Sequence, residues 1–442
     1  MRYTPRHVEA RCRRALAEGK ILVLLGARQT GKSTLARHLL EDVGPERRLV
    51  INLDDPFLRD RVTAERGLVR EIEERLGRPW SAVEGVRVVL DEVQKAPALF
   101  PIVKDLFDRY PGKVSFLLTG SSALEIHDPV AETLAGRVRI VHVHPFTLSE
   151  GFAHTSGDTP TNEVLPDLLS RLLNGRYTPS DHEALEERCR WQAEARRAWL
   201  QRHLTAPLFP EPSGSEVPEE WLGDYLATYL EKDVRSLAAV GNLELFRACI
   251  RQVAARVGSP VKWEPMAQEI GTTSVTLRRY VGLMEQTLVL LRLGPFGPNP
   301  VTRVIRAPKV YLADAGLLWA LRGYEDRRLL EASGALGTYM EQLALVEIAK
   351  WCALEPTAPE LRFWSKTAVS EVDLVVSNRG WHVPFEVKLG RAPDRRWLRG
   401  LDAFEADLGR AGGQVPYRVV LHLGEPERLD ARTYAIPLWA LA

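Results

Sequence analysis

The sequence predicts an α/β protein. It opens on a parallel, doubly wound sheet, passes through a helical middle and ends in a second α/β region. Three observations carry this reading. Short apolar runs alternate with helical stretches from the first residues to about Val143. A glycine-rich loop, Gly26–Ser33, joins the first apolar run to a helix. Far downstream, two apolar runs with charged residues at alternate positions flank the turn Asn378-Arg379-Gly380.

In order along the first region, residues near 7–19 read as a helix, Ile21–Leu25 as a strand, and the pattern through Leu40 as a helix. Between strand and helix stands Gly-Ala-Arg-Gln-Thr-Gly-Lys-Ser, where a phosphate-binding loop belongs. Gly26 and Gly31 let the backbone turn its N–H groups toward a phosphate, and the new helix adds its positive end. The stretch Gly26, Ala27, Arg28, Gln29, Thr30, Gly31, Lys32, Ser33 and Thr34 is therefore expected to cradle ATP. Lys32 would reach the β- and γ-phosphates, and Ser33 would hold Mg²⁺.

A second strand, Leu49–Leu53, leads through Asp54-Asp55-Pro56 to a charged helical stretch ending near Leu76. The run Val86–Leu90 then ends in Asp91-Glu92. Hydrolysis needs one acid near the metal and one near the nucleophile, so Asp91 is expected to orient Mg²⁺ and Glu92 to polarise water. Pro97–Tyr110 reads as a helix, and Val114–Leu118 as a strand ending in Thr119-Gly120-Ser121-Ser122. Thr119 or Ser121 is expected to sense the γ-phosphate, or else to cap the next helix. Arg137, before the fifth strand Val138–Val143, is a candidate for neutralising phosphate charge in cis or across a subunit boundary, or an ordinary strand-edge arginine.

At 442 residues the chain exceeds one ordinary core, and about two to four domains are expected. A formal charge of +1 excludes a global basic field, so any polyanion must meet a local basic face. Cys12, Cys189, Cys249 and Cys352 form no CxxC pair, which argues against zinc and a disulfide framework and fits a reducing cytoplasm. No apolar run reaches about 18 residues, so neither a membrane span nor a signal peptide is expected.

Taken together, GARQTGKS, VVLDEVQKAP, FLLTGSSALEI and LAGRVRIVHVHPFTLSE resemble a family of bacterial and archaeal AAA-type ATPases whose members carry a C-terminal domain of unknown function. The resemblance covers roughly residues 7–150 and resumes from about 222 to 390. It implies ATP binding and hydrolysis with Mg²⁺, and leaves a homo-oligomer open because such engines often complete a site with a neighbour's arginine.

Residues 151–220 change character. Ser156–Pro160 and Pro207–Pro218 read as loops, with one charged helix, His182–His203, between them. Ala206-Pro207-Leu208-Phe209-Pro210-Glu211 lacks the glycines that the family carries at this point. Trp221–Ser236 reads as a helix holding the family signature Tyr229–Arg235, in which Asp233 and Arg235 could meet the nucleotide or the neighbouring domain, or form a solvated salt-bridge face. Glu264–Ile270, the turn Gly271-Thr272-Thr273 and Ser274–Gln286 form a helix-turn-helix pattern, with Met266 and Ile270 expected against Val275, Tyr280 and Leu283. The strand Leu288–Leu293 comes next, as in a winged helix. Arg278, Arg279 and Arg303 are expected to meet DNA, with Arg306 and Lys309 adding to a basic wing; packing or subunit contact is the alternative use of such a module.

Asp314, in the family signature Tyr311–Leu317, is expected to be structural. The helix Thr338–Trp351 carries Glu341, and the hairpin Glu371–Val376 with Val383–Lys388 carries Asp373, Glu386 and Lys388. Glu386 and Lys388 share a face because strand side chains alternate. This arrangement resembles the PD-(D/E)xK nuclease superfamily. The resemblance implies a restriction-endonuclease-like fold in which Glu341, Asp373 and Glu386 hold Mg²⁺ and Lys388 orients water. A retained fold with a buried Glu–Lys pair and no cleavage is the alternative. A helix, Trp397–Leu408, and a strand, Tyr417–Leu423, complete the region.

The expected domains are thus 1–150, an AAA-type ATPase; 151–220, an insertion; 221–305, a helical winged-helix module; and 306–442, a nuclease-like domain. The function expected is an ATP-driven protein acting on DNA. Its rival is an ATP-dependent switch whose later modules dock proteins.

Overall fold

The computed structural model describes residues 3–121, 133–157, 164–215, 217–229, 241–297, 307–323, 325–367, 370–410 and 412–442. Ser122, Asp233, Arg235, Arg303 and Arg306 lie outside these residues. The chain divides into two compact units, residues 1–145 with 286–288, and residues 146–285 with 289–442.

The first unit holds, among the described residues, a five-stranded sheet built from β1 (Ile21–Leu25), β2 (Arg48–Asn52), β3 (Val86–Asp91), β4 (Val114–Gly120) and β5 (Val138–His142). The order is β2-β3-β4-β1-β5, and every pairing is parallel. All five β1 residues are buried, as a continuous apolar strand with both faces covered demands. Ile21, Val23, Val88, Leu90, Phe116 and Leu118 share one core with Leu99, Phe100 and Val103 of the helix Leu99–Arg109. This is the α/β fold read from the sequence. The order also sets the site: the tip of β4 lies between the tips of β1 and β3.

The second unit contains, among the described residues, an eight-stranded mixed sheet. Its strands are β6 (Leu290–Pro295), β7 (Lys309–Leu312), β8 (Glu360–Thr367), β9 (Ser370–Asn378), β10 (Trp381–Val387), β11 (Arg418–His422), β12 (Glu427–Arg428) and β13 (Thr433–Pro437). They run in the order β12-β13-β11-β10-β9-β8-β6-β7. β6 pairs antiparallel with β7 and parallel with β8, so one sheet runs through the expected boundary at 305/306. The helix Arg399–Arg410 packs Leu401, Phe404 and Leu408 against Val372, Val375 and Val420 of this sheet.

Several elements differ from the expectation. The stretch 151–220 holds the end of the helix Leu148–Ser156, the helices Val164–Leu173, Pro179–Arg190 and Ala193–His203, and the start of Pro218–Thr228, rather than one helix between loops. The expected single helix breaks at Trp191, which ends one helix 70% exposed, and at Gln192, whose φ of 54° is left-handed. Trp199, by contrast, is buried. On the helix Ser274–Gln286 the buried positions are Leu277, Tyr280, Val281, Leu283 and Met284; Val275 does not pack and is 75% exposed. It falls off the stripe that the 3.6-residue period draws through Leu277, Tyr280 and Met284. All four cysteines are free and buried. Among the described residues no helix is long and apolar enough to cross a membrane.

Candidate active site

The loop after β1 is shaped by close approaches. A Cβ on Gly26 would stand 2.2 Å from the Val143 carbonyl oxygen, so only glycine fits. Gln29 (φ 59°) and Gly31 (φ 90°) are left-handed, and the helix Lys32–Leu40 starts directly after. Thr30 is fully buried and donates from Oγ1 to the Ala27 carbonyl at 2.9 Å. Lys32 is also buried, its Nζ donating to the carbonyls of Gly26 (3.0 Å) and Ala27 (2.7 Å). The ammonium is thus held by carbonyls of the loop itself.

From the loop a row of hydrogen bonds crosses the strand tips. Ser33 Oγ donates to Asp91 Oδ1 at 2.8 Å. Thr119 Oγ1, at the tip of β4, donates to the same carboxylate oxygen and accepts from the Glu92 backbone N–H at 3.2 Å. Glu92 has φ 60°, a left-handed position rarely taken by a non-glycine residue and worth about 1–3 kcal/mol of local strain. Its Oε2 accepts from Gln94 Nε2 at 2.6 Å, and the same nitrogen donates to Ser121 Oγ at 3.1 Å. Ser33, Asp91, Thr119 and Glu92 are therefore brought together. The hydroxyl and carboxylate oxygens of Ser33 and Asp91 are the hard donors Mg²⁺ takes, so these residues fit the ion.

Arg28 and Thr34 belong to the same loop and helix start; Thr34 is exposed. Arg137 is not brought to the loop. It precedes β5, beside the start of β1, where Ile21 N–H donates to its carbonyl at 2.9 Å. The loop leaves the other end of β1, five residues away, or about 16 Å. Its guanidinium instead donates to Asp108 Oδ1 at 2.6 Å. Sequence reasoning missed two residues. Gln94 follows the acids by two positions. Arg6 is buried and donates to the Thr30 carbonyl (2.9 Å) and the His144 carbonyl (2.7 Å), tying the loop to the exit of β5. The DEVQ string could have signalled Gln94; a lone arginine before the first helix gives no signal.

In the second unit, Glu341 on the helix Leu336–Leu354, Glu371 and Asp373 on β9, and Glu386 on β10 form one electrostatic cluster with Lys309, Lys388 and Tyr311. Tyr311 OH donates to Glu341 Oε1 at 2.6 Å, Val387 N–H to Asp373 Oδ2 at 2.7 Å, and Lys388 Nζ to Glu386 Oε1 at 2.5 Å. Burial, then the Asp373 charge, pushes Glu341 up to about 7 and Glu386 to about 8. Burial likewise raises Asp373. Among the described residues no three His, Cys, Asp or Glu side chains form a metal-holding group. The four sequence-predicted residues share a neighbourhood, yet as arranged they do not fit Mg²⁺.

Of the expected DNA-facing residues, Arg278 lies over the Trp263 ring at 5.0 Å and 3.8 Å from Glu264, with its side chain 56% exposed. Arg279 is exposed on the same helix. Lys309 is not part of a basic surface: it is buried among carboxylates. Asp314 is structural, as expected, capping the helix Ala315–Leu321.

Residues 18–152 match a family model described as an AAA domain. Residues 197–328 and 336–441 match two domains of unknown function, DUF8612 and DUF4143. Two curated relatives, uncharacterized proteins of Mycobacterium tuberculosis and Mycobacterium bovis, are each 29% identical over 390 residues, covering 88% of this chain and 74% of theirs. Among solved structures, the Aeropyrum pernix ORC2 protein in its ADP form is similar at 14% identity and a TM-score of 0.33, covering 77% of this chain and 97% of its own. The Pif1 helicase from Candida albicans is similar at 13% identity and a TM-score of 0.24, covering 45% of this chain and 54% of its own. TM-scores this low carry no weight beside the strand order. The AAA-domain match, falling on the loop and acids just described, supports a nucleotide-binding ATPase.

Proposed function

We propose that the first unit binds and hydrolyses ATP with Mg²⁺, and that the cycle drives action on DNA through the second unit. The observation carrying the first part is the hydrogen-bonded row Ser33–Asp91–Thr119–Glu92 beside a loop whose buried lysine donates to two of the loop's own carbonyls. Lys32 exchanges loop carbonyls for the β- and γ-phosphates; Ser33 and Asp91 hold Mg²⁺; Glu92 polarises the attacking water; Thr119 links the two acids. When bound, Mg²⁺ would supply positive charge that offsets the charge of the phosphates.

The DNA part is supported by Arg278 and Arg279 on the exposed face of the second helix of a helix-turn-helix, the element that enters a major groove in such modules. The carboxylate cluster keeps the residue types of a PD-(D/E)xK nuclease, but no cleavage step is assigned to it. One observation favours the rival reading of a protein-docking switch: Val275, an exposed apolar side chain on the helix that carries Arg278.

A steady-state ATPase assay with duplex, single-stranded and branched DNA tests the proposal. Turnover should depend on Lys32 and rise with at least one DNA form, and Arg278→Ala/Arg279→Ala should lose that response while keeping the basal rate. A Lys32→Ala protein with parental turnover overturns the site. No DNA binding at low salt and no change in rate overturns the DNA part and leaves the docking reading.

A further inference from the structure

Lys309 is the side chain that the carboxylate cluster of the second unit is built around. It lies on β7, 3% exposed by its side chain, and reaches Glu341 Oε1 at 3.4 Å and Glu371 Oε1 more closely. The Phe363 ring covers its ammonium at 5.4 Å. An ammonium so far from water is tolerated only when it is paired, because removing its partner leaves a buried charge uncompensated. Here the carboxylates supply the pairing. Burial pushes Lys309 down, but Glu341, Asp373 and Glu371 outweigh it and hold the group above the ordinary lysine range.

The remaining oxygens are engaged one by one. Glu341 Oε1 takes Tyr311 OH as well, Asp373 Oδ2 takes a backbone N–H, and Glu386 Oε1 takes Lys388. Glu386 is 7% exposed and its Oε2 has no partner among the described residues. Four acidic side chains crowd around two ammonium groups, and burial with the Asp373 charge raises two of them, Glu341 and Glu386, toward the protonated form. A divalent ion would need several of these oxygens at once, stripped of their proton donors. Lys309 already holds two of the four carboxylates.

We propose that Lys309 is a resident cation that stands in for a divalent metal in this cluster, so that metal enters only when Lys309 withdraws. The proposal rests on reading the second unit as nuclease-like. It adds that the site is held closed by a lysine on β7, the partner of the strand that comes after the helix-turn-helix. β7 pairs with β6, the strand that also joins β8 of the cluster's sheet, so a shift of β7 carries the lysine with it.

The test is Mn²⁺ binding to the nucleotide-free full chain, read as loss of the free Mn²⁺ electron paramagnetic resonance signal. The unmodified protein should take up no stoichiometric Mn²⁺ below about 1 mM, while Lys309→Met should bind one equivalent about tenfold or more tightly. Adding Asp373→Asn to Lys309→Met should remove that equivalent, which places it in the cluster and not at Ser33. Asp373-dependent Mn²⁺ uptake by the unmodified chain overturns the proposal, as does a folded Lys309→Met protein that binds none. Lys309→Gln serves if the methionine variant does not fold, and the unmodified arm decides on its own if neither does. DNA binding is scored separately: its failure with the Mn²⁺ pattern intact sinks the DNA reading and leaves Lys309 in its role.

Discussion

Gln94 holds Glu92. The Gln94 amide nitrogen donates to Glu92 Oε2 at 2.6 Å and to Ser121 Oγ at 3.1 Å, while Gln94 Oε1 is buried with no partner among the described residues. Glu92 is therefore aimed from β4 through its neighbour, and an acceptor is left over beside it. A misaimed base costs rate rather than substrate affinity. Gln94→Ala should lower kcat by about tenfold to a hundredfold with KM within about threefold, and Glu92→Gln should lower it further while ATP still binds. Steady-state kinetics with a nucleotide titration check both. A Gln94→Ala effect confined to KM removes the positioning role.

Arg6 acts on the opposite side of the loop. Its two hydrogen bonds join the Thr30 carbonyl to the His144 carbonyl in a buried setting. Without them the loop has one fewer anchor when Lys32 leaves its carbonyls. Arg6→Ala should raise the ATP dissociation constant by about tenfold, roughly the value of one charge-assisted hydrogen bond, and Arg6→Lys should recover part of it. Fluorescent-nucleotide titration reads this directly. Unchanged affinity in Arg6→Ala, with the fold intact by circular dichroism, is the contrary result.

The first unit was legible because its chemistry is local. Gly26–Ser33 and Asp91-Glu92 are short strings whose backbone conformations and neighbours are set by their position between strand and helix, and the parallel order comes from the alternation. What could not be read were relations between distant positions. Lys309 looks like a wing cation in the sequence; only the pairing of β7 with β6, and of β6 with β8, turns it into the carboxylates. Arg137 reads as a phosphate-neutralising arginine in cis or across a subunit boundary, or as a strand-edge arginine; because β5 runs parallel to β1, its place within this chain is at the end of β1 opposite the loop. The helix Val164–Leu173 did have a signal. Leu165, Leu168, Leu169, Leu172 and Leu173 keep the helical period, masked by the polar loop before them.

Glu347 makes the second unit sensitive to pH. It is fully buried, accepts from Leu148 N–H at 3.1 Å on both oxygens, and takes Trp351 Nε1–H at 2.7 Å. Burial raises it from the ordinary 4.5 to about 7, against the lowering pull of Lys350 and these donors. The folded state therefore binds the proton more tightly than the unfolded chain. That stabilisation is complete below 4.5 and is lost as pH rises through about 7. The loss amounts to at most about 3 kcal/mol. Glu347→Gln keeps an acceptor for Leu148 and cannot ionise, so its urea midpoint should fall less than the parent's between about pH 5 and about pH 8. Parallel pH profiles for the two proteins contradict the assignment.

Asp314 ties two segments of the second unit that are far apart in sequence. It is 1% exposed; Oδ1 accepts from Gly316 N–H (2.8 Å) and Leu317 N–H (3.2 Å), and Oδ2 accepts from Leu208 N–H at 2.7 Å. The first two bonds cap the helix Ala315–Leu321, and the third fastens the Pro207–Leu208 segment to its start. Gly316 allows this approach, since a Cβ there would stand 2.7 Å from the Pro207 backbone. Removing the carboxylate leaves three N–H donors buried without acceptors, so Asp314→Ala should cost about 2–4 kcal/mol in the unfolding of this unit. Asp314→Asn, which keeps one oxygen acceptor, should cost less. Urea unfolding monitored by tryptophan fluorescence measures both. The ATPase of the first unit provides the control, because a structural cap in the second unit should leave basal turnover within about twofold of the parent.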